Sequence, residues 1–264
     1  VIHENKGLND WVRSVAGRLA GVGYSALAVD LLSDEGSTAV FADPAAATAA
    51  LGKIAPERFV ADLRSGLGEL QQRVPNQKLA VVGFCFGGGL VWRLLDAGEP
   101  RLAAAVPFYG PLPESPDFTG SRGAAVLGFY GALDQRVTSS EPAAQAALDK
   151  AGLVNELVVE PNADHAFFND TGPRYNATAA ADAWRRLGDF QAGEDGLRRA
   201  LAASERLRPG SVHVADRLNA LATTLSERGD LVSAEATYRR ALELYESLAP
   251  ESAAVARVLN NLGR

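Results

Sequence analysis

The sequence predicts an α/β protein with a doubly wound, mostly parallel sheet, followed by an all-α segment of helical repeats. Up to about residue 188, near-continuous apolar runs alternate with amphipathic helical patterns. This alternation is typical of a parallel sheet that helices cover on both faces. Beyond that residue strand-like runs stop and a sequence repeat begins. We therefore predict two domains, at residues 1–188 and 189–264.

The first domain is predicted as strands and helices in alternation. Its predicted strands are short apolar runs at 1–3, 24–30, 78–84, 102–110, 124–131 and 156–161. Its predicted helices carry apolar residues at helical spacing over 8–23, 56–73, 89–98 and 142–152. Functional loops of such sheets gather at the carboxyl ends of the strands, so we expect a site built from residues that directly follow strands.

The second domain is predicted from an internal repeat. Residues 188–221 match residues 229–262 at a constant offset of 41, with Pro209 falling on Pro250. The pattern resembles tetratricopeptide repeats of the longer-period kind, with a truncated last repeat; the alternative is an ordinary helical bundle. At the same offset, segment 177–187 is the counterpart of a repeat helix, so one helix is predicted to serve both domains.

The composition of the chain argues against nucleic acids and membranes as binding partners. A formal charge of −6 argues against a nucleic-acid surface, and no apolar run approaches the roughly 18 residues that span a bilayer. The single cysteine excludes an intrachain disulfide and favours a cytoplasmic location. The chain has no methionine and opens inside an apolar run, so we expect a fragment whose leading strands are missing.

The single cysteine lies in the stretch "VVGFCFGGGL" (81–90), between a predicted strand and a predicted helix. Gly83, Cys85 and Gly87 form the pattern G-x-C-x-G, the thiol form of the nucleophile elbow. Glycines are needed there because the flanking chain passes too close for side chains. A buried structural cysteine is one alternative. A phosphate-binding loop is another, but the stretch lacks the Gly-Lys-Ser/Thr ending.

A thiol nucleophile needs a base and an acid, and both follow Cys85 in the order typical of α/β-hydrolases. Asp134 comes just after the strand at 124–131, and His165 comes in the loop after the next strand. An imidazole at that position can accept the thiol proton while Asp134 fixes its tautomer. The neighbouring acids Asp164 and Asp170 are interpreted as solvated or capping residues.

The two other histidines, His3 and His213, form no H-E-x-x-H pattern and no cluster with the cysteine. We therefore expect no metal site and no cofactor.

Five separated motifs over about residues 1–190 together resemble the dienelactone hydrolase family (carboxymethylenebutenolidase-like). They are "HENKGLN" (3–9), "GFCFGGG" (83–89), "VPFYG" (106–110), "LDQRV" (133–137) and "HAFFNDTGPRY" (165–175). The resemblance implies an α/β-hydrolase that cleaves an ester or lactone through an acyl-thioester, with a triad of Cys85, His165 and Asp134. It also implies that Glu4 interacts with the thiol.

The resemblance further implies that the backbone N–H groups of Asn5 and Phe86 form an oxyanion hole. Family members hold a substrate carboxylate with arginines, and Arg58, Arg136 and Arg174 are the candidates in this chain.

The sequence thus predicts a cysteine-dependent hydrolase of a small-molecule ester or lactone, fused to repeats that bind protein. One alternative is a catalytically retired hydrolase domain that serves as an interaction scaffold. Another is a serine-hydrolase-like esterase of broad specificity, which the cysteine disfavours.

Overall fold

The structure is a computed structural model that describes residues 1–190, 201, 205, 209–227, 231–250 and 252–262. The chain divides into two compact units. The first comprises Val1–Gly17 and Ser25–Leu187, and the second comprises Arg18–Tyr24 and Gly188–Arg264. These units are defined by contacts and not by function, so the domain limits 1–188 and 189–264 stay a prediction.

The first unit is built on a sheet of four parallel strands in the order β1-β2-β3-β4. The strands are β1 (Leu79–Phe84), β2 (Leu102–Phe108), β3 (Ala125–Gly131) and β4 (Asn155–Glu160). Phe84, Phe108 and Phe129 are paired across the first three strands, so these strands end at one edge of the sheet. The predicted parallel α/β architecture is confirmed.

The first two predicted strands are reduced to isolated bridges. Ile2 bridges Gly83 on one side and Val29 on the other, both in parallel. Because a turn begins at Asn5, only a short segment can pair. The register that sets Ile2 opposite Gly83 brings Glu4 to the carboxyl end of β1, beside the cysteine turn.

The helices around the sheet are α1 (Asp10–Gly21), α2 (Pro44–Leu51), α3 (Pro56–Arg73), α4 (Phe86–Asp96), α5 (Gln135–Thr138), α6 (Glu141–Ala151) and α7 (Ala177–Phe190). Helix α2 was not predicted, because its alanine-rich sequence has no polar face. Its start was readable nonetheless: Pro44 begins the helix and the Asp43 carboxylate accepts the Ala46 N–H at 2.8 Å.

An aromatic layer lies beneath the carboxyl ends of the strands. The ring of Phe108 lies 4.9 Å from that of Phe84, 4.5 Å from that of Phe129 and 4.7 Å from that of Phe168. All four side chains are buried, and each stabilises the fold by about 1.5–3 kcal/mol. These packed aromatic rings support the loops at the carboxyl ends of the strands.

The second unit contains α8 (Val212–Glu227), α9 (Leu231–Leu248) and α10 (Ala253–Leu262). Alanines at buried positions, among them Ala215, Ala222 and Ala241, allow close helix packing. The Tyr245 hydroxyl donates to the Asp216 carboxylate at 2.5 Å. Residues 191–200, in the first copy of the predicted repeat, lie outside the described residues.

Gly87 lies in the first turn of α4, directly against the segment that carries Ile2 and His3. A Cβ atom on Gly87 would lie 2.6 Å from the carbonyl oxygens of both residues. No real side chain fits at that distance, so the segment reaches the start of α4 only because residue 87 is a glycine.

We expect Gly87→Ala to lower the free energy of unfolding by about 1–3 kcal/mol or more, because the new methyl group would press on backbone atoms. Gly68→Ala in α3 is the matched control, since a Cβ there meets nothing within 4 Å. Alanine in that helix interior should raise the free energy of unfolding by about 1 kcal/mol. Urea denaturation measures both variants, and equal free energies would contradict the close approach.

Candidate active site

Cys85 occupies the turn between β1 and α4. Its backbone has φ 54° and ψ −112°, which is strained for a residue with a side chain. The Cys85 N–H donates to the Phe108 carbonyl at 3.0 Å, and the Gly89 N–H donates to the Cys85 carbonyl at 3.0 Å. These bonds hold the thiol at the strand edge in the strand–turn–helix setting that a nucleophile elbow requires.

The structure brings Cys85, His165 and Asp134 together in that order. His165 Nε2 lies 3.0 Å from Cys85 Sγ, and His165 Nδ1 lies 2.5 Å from Asp134 Oδ2. Asp134 and His165 are both buried, at 7% and 8% exposure. A carboxylate only accepts, so Nδ1 carries the ring proton, and Nε2 is left to accept from the thiol.

The two loops that carry the acid and the histidine are fixed by their own backbones. The Asp134 carbonyl accepts the N–H groups of Val137 and Thr138, at the start of α5. The Asp164 carboxylate accepts the His165 N–H at 2.7 Å. Asp164 is therefore a backbone cap beside the site, one of the two roles expected for it.

Burial is the larger of two causes that raise the pKa of the Cys85 thiol, and the Glu4 carboxylate is the second. The Phe86 N–H, Arg136 and Arg174 lower this pKa but do not outweigh them. The resting thiol is therefore neutral near pH 7 and holds a proton that it can donate to His165.

Glu4 is a buried carboxyl group, 6% exposed. Its Oε2 accepts the Asn169 side-chain N–H at 3.0 Å, and its Oε1 has no hydrogen-bond partner among the described residues. Burial raises the pKa of Glu4, whereas the Asn169 hydrogen bond and the positive charges of Lys6 and Arg174 lower it. Glu4 thus stands beside the thiol as a carboxyl group whose ionisation is costly.

The sequence analysis missed two residues of this cluster, Asn169 and Tyr109, although both lie in motifs quoted above. Asn169 holds the Glu4 carboxyl group. Tyr109 has a positive φ of 36°, and its ring centroid lies 5.2 Å from that of His165. Its hydroxyl is buried with no partner among the described residues. The position of Tyr109 directly after β2 was the available signal.

The residues expected to form an oxyanion hole lie on either side of the thiol. Phe86 begins α4, and its N–H interacts with the Cys85 sulfur. Asn5 lines the cavity above the thiol, and its N–H donates to none of the residues that the structure describes.

An open cavity of about 560 Å³ lies above Cys85 and His165. Its lining includes Arg136 and Arg174, two of the candidate substrate-binding arginines, and also Lys6, which was not anticipated. The lining thus combines three cationic side chains with the carboxylates of Asp134 and Asp164.

Arg58 does not line this cavity, so its assignment as a substrate-binding residue is corrected. Its guanidinium is held by Glu35, with Nη1–Oε1 at 2.6 Å and Nη2–Oε2 at 3.0 Å. This hydrogen-bonded pair raises the pKa of Arg58. The Asp62 carboxylate lies 3.4 Å from Arg58 Nε on the next turn of α3, so the arginine belongs to a local ion-pair network.

Within the described ranges, no three His, Cys, Asp or Glu side chains are grouped so that they could hold a metal ion. None of the helices described is long and apolar enough to cross a membrane.

Comparison with known proteins shows two family matches. The family model described as the dienelactone hydrolase family matches residues 1–192, and a tetratricopeptide repeat model matches residues 175–247. The second match confirms the predicted resemblance of the C-terminal repeat. The two matches overlap over residues 175–192, which contain helix α7.

Individual relatives agree with the first match. A carboxymethylenebutenolidase homologue of Escherichia coli O157:H7 is 35% identical over 71% of this chain and 73% of its own length. The crystal structure of a dienelactone hydrolase homologue from Klebsiella pneumoniae subsp. pneumoniae MGH 78578 has a TM-score of 0.61 and 31% identity, over 71% of this chain and 83% of that one. The dienelactone hydrolase-like promiscuous phosphotriesterase P91, from metagenomic libraries, has a TM-score of 0.59 and 28% identity, over 72% of this chain and 82% of that one.

The extent of the family match and the identity to these relatives agree with the sequence motifs and the parallel sheet. The chain belongs to the dienelactone hydrolase family and is an ester or lactone hydrolase that carries a C-terminal tetratricopeptide-type repeat.

Proposed function

We propose that the protein hydrolyses its ester or lactone by attack of the Cys85 sulfur, through an acyl-thioester. The observation that carries this proposal is the continuous line of contacts from Sγ to His165 at 3.0 Å and from His165 to Asp134 at 2.5 Å. A retired domain used only as a scaffold has no need of such an alignment, so the line of contacts disfavours that alternative.

In the first half-reaction Sγ attacks the carbonyl carbon, a C–S bond forms and the thiol proton passes to His165 Nε2. The carbonyl electron pair moves to oxygen, and the resulting anion accepts hydrogen bonds from the N–H groups of Asn5 and Phe86. Asp134 stabilises the imidazolium. Collapse breaks the C–O bond, and the leaving oxygen takes the proton from His165.

In the second half-reaction water attacks the acyl-thioester. His165 takes the proton from that water, and the tetrahedral intermediate expels the Cys85 sulfur, which is reprotonated by His165. For an ester the alcohol has already departed. For a lactone the leaving oxygen remains in the same product molecule as the new carboxylic acid.

Glu4 is proposed to act as a switch on the thiol. Burial, and after it the negative charge of Glu4, raises the pKa of Cys85, so the resting thiol is held in its protonated, less reactive form. A bound substrate displaces the Glu4 carboxylate toward the thiol proton, which Glu4 relays to His165 Nε2. The sulfur then becomes nucleophilic only when an acyl donor is present.

The three cations of the cavity lining favour a substrate that carries an anionic group, because the lining carboxylates of Asp134 and Asp164 are already engaged by the His165 ring and the His165 N–H. Lys6, Arg136 and Arg174 are among the residues that line the space above the thiol. A carboxylate on the substrate would be held by these cations while its ester or lactone carbonyl lies against Sγ.

The repeat segment is proposed to bind a protein partner, on the basis of the tetratricopeptide match to residues 175–247. The cytoplasmic location expected from the single thiol stays a prediction.

We expect Cys85→Ala to lower kcat/KM for an activated ester such as p-nitrophenyl acetate by about 10³-fold or more, because no other thiol can replace it. Iodoacetamide should label one residue of the native protein and abolish turnover in proportion to labelling. Circular dichroism of Cys85→Ala should match that of the native protein. Full activity in this variant would exclude the thioester route.

Glu4→Gln should slow acylation by about 10²-fold while the substrate dissociation constant stays close to the native value, because the carboxylate takes part in proton movement and not in binding. The exposed Glu57→Gln in α3 is the matched control. Single-turnover kinetics separate the two effects.

The same variants test the resting state of the thiol by its ultraviolet absorbance as pH rises. In the native protein the thiol pKa should be no lower than the ~8.5 of free cysteine, and Glu4→Gln should lower it because one anion is removed. A native pKa several units below that value, with undiminished acylation in Glu4→Gln, would show a preformed thiolate–imidazolium pair and refute the switch.

A further inference from the structure

His3 is a fully buried imidazole next to the site, and the proposed reaction gives it no role. Both of its ring nitrogens are engaged. Nδ1 lies 2.6 Å from the carbonyl oxygen of Glu4, and Nε2 accepts the N–H of Leu31 at 3.2 Å. The ring therefore ties the start of the chain to the loop at Leu31.

These two partners fix the protonation of the ring. The Leu31 N–H can only donate, so Nε2 must be unprotonated, and the Glu4 carbonyl can only accept, so Nδ1 must carry the hydrogen. His3 is a neutral imidazole with a defined tautomer, and burial lowers its pKa, which keeps it so.

The bond to the Glu4 carbonyl also sets the direction of an N–H group. A trans peptide carries its C=O and N–H on opposite sides, and the structure contains no cis peptide among the residues it describes. With the Glu4 carbonyl directed at His3, the Asn5 N–H points the other way. Asn5 lines the cavity with Cys85, and its N–H is not used by any described residue.

We propose that His3 is a positioning residue that holds the Glu4–Asn5 peptide so that the Asn5 N–H faces the oxyanion. This inference rests on the proposed function, in which that N–H stabilises the tetrahedral intermediate. The next peptide has its own tether, since the Thr48 hydroxyl donates to the Asn5 carbonyl at 2.7 Å. His3 alone among the described side chains holds the Glu4 carbonyl.

Two substitutions separate the two bonds of the ring. In His3→Asn the side-chain amide N lies where Nδ1 was and can still donate to the Glu4 carbonyl. In His3→Gln the side-chain oxygen lies where Nε2 was and can still accept from Leu31, but the bond to Glu4 is lost. We expect kcat for p-nitrophenyl acetate to stay within about 3-fold in His3→Asn and to fall by about 10–100-fold in His3→Gln, with KM little changed, because a misaimed oxyanion donor costs transition-state stabilisation only.

The rate of Cys85 alkylation by iodoacetamide distinguishes a positioning role from a merely structural one. If His3 only supported the fold, its replacement would slow alkylation as well as ester hydrolysis. Alkylation needs the thiol but forms no oxyanion, so its rate should be equal in His3→Asn, His3→Gln and the native protein. Thr48→Val is the control, since it removes a tether of the same loop from the neighbouring peptide, and it should leave kcat within about 2-fold.

The outcomes separate this inference from the function it rests on. Equal kcat in His3→Asn and His3→Gln, or a parallel loss of alkylation and ester hydrolysis, would overturn the role of His3 and leave the thiol mechanism standing. An active Cys85→Ala variant would overturn the thiol mechanism itself.

A measurement on the native protein decides the matter if the buried substitutions prevent folding. The chain has three histidines, so ¹⁵N-histidine labelling resolves each ring by NMR. His3 should show a protonated Nδ1 and a bare, hydrogen-bonded Nε2 throughout the range from pH 6 to pH 8. An Nε2–H tautomer or an imidazolium would overturn the proposal.

Discussion

The site depends on one close approach of backbone to backbone. The carbonyl oxygens of Ile2 and His3 would lie 2.6 Å from a Cβ on Gly87, so the glycine at the start of α4 lets the opening segment of the chain run directly beside the cysteine turn. Because of that contact, the next two residues of the segment, Glu4 and Asn5, lie near the thiol, although they are far from Cys85 in sequence. A side chain at residue 87 would separate the nucleophile from both groups.

The second constraint is electrostatic. A thiol is a poor nucleophile and a thiolate is exposed to side reactions, and the surroundings of Cys85 favour the protonated form at rest. Burial and Glu4 disfavour the anion, whereas the Phe86 N–H and the arginines Arg136 and Arg174 favour it. In the proposed mechanism, displacement of the Glu4 carboxylate by an anionic substrate is the event that changes the protonation state of the sulfur.

The periodicity of apolar residues predicted the sheet and the cysteine turn, because strands and elbows are local patterns. The positions of Cys85, Asp134 and His165 directly after predicted strands indicated that they would lie near one another. Other contacts between distant segments were not readable in this way. Arg58 was expected at the substrate but is held by Glu35, and nothing in the order of residues distinguishes a salt-bridged arginine from a free one. The hydrogen bond from Asn169 to Glu4 spans 165 positions of sequence, so only the fold reveals it.

The central claim is a covalent intermediate on the single thiol, and trapping it is the most direct test. Native protein mixed with excess p-nitrophenyl acetate is quenched in acid during the first turnovers, digested, and analysed by mass spectrometry. The account predicts an acetyl group on the peptide that contains Cys85, formed at least as fast as steady-state turnover and released by hydroxylamine. Sustained turnover with no adduct on that peptide, or with the acyl group on another residue, would contradict it.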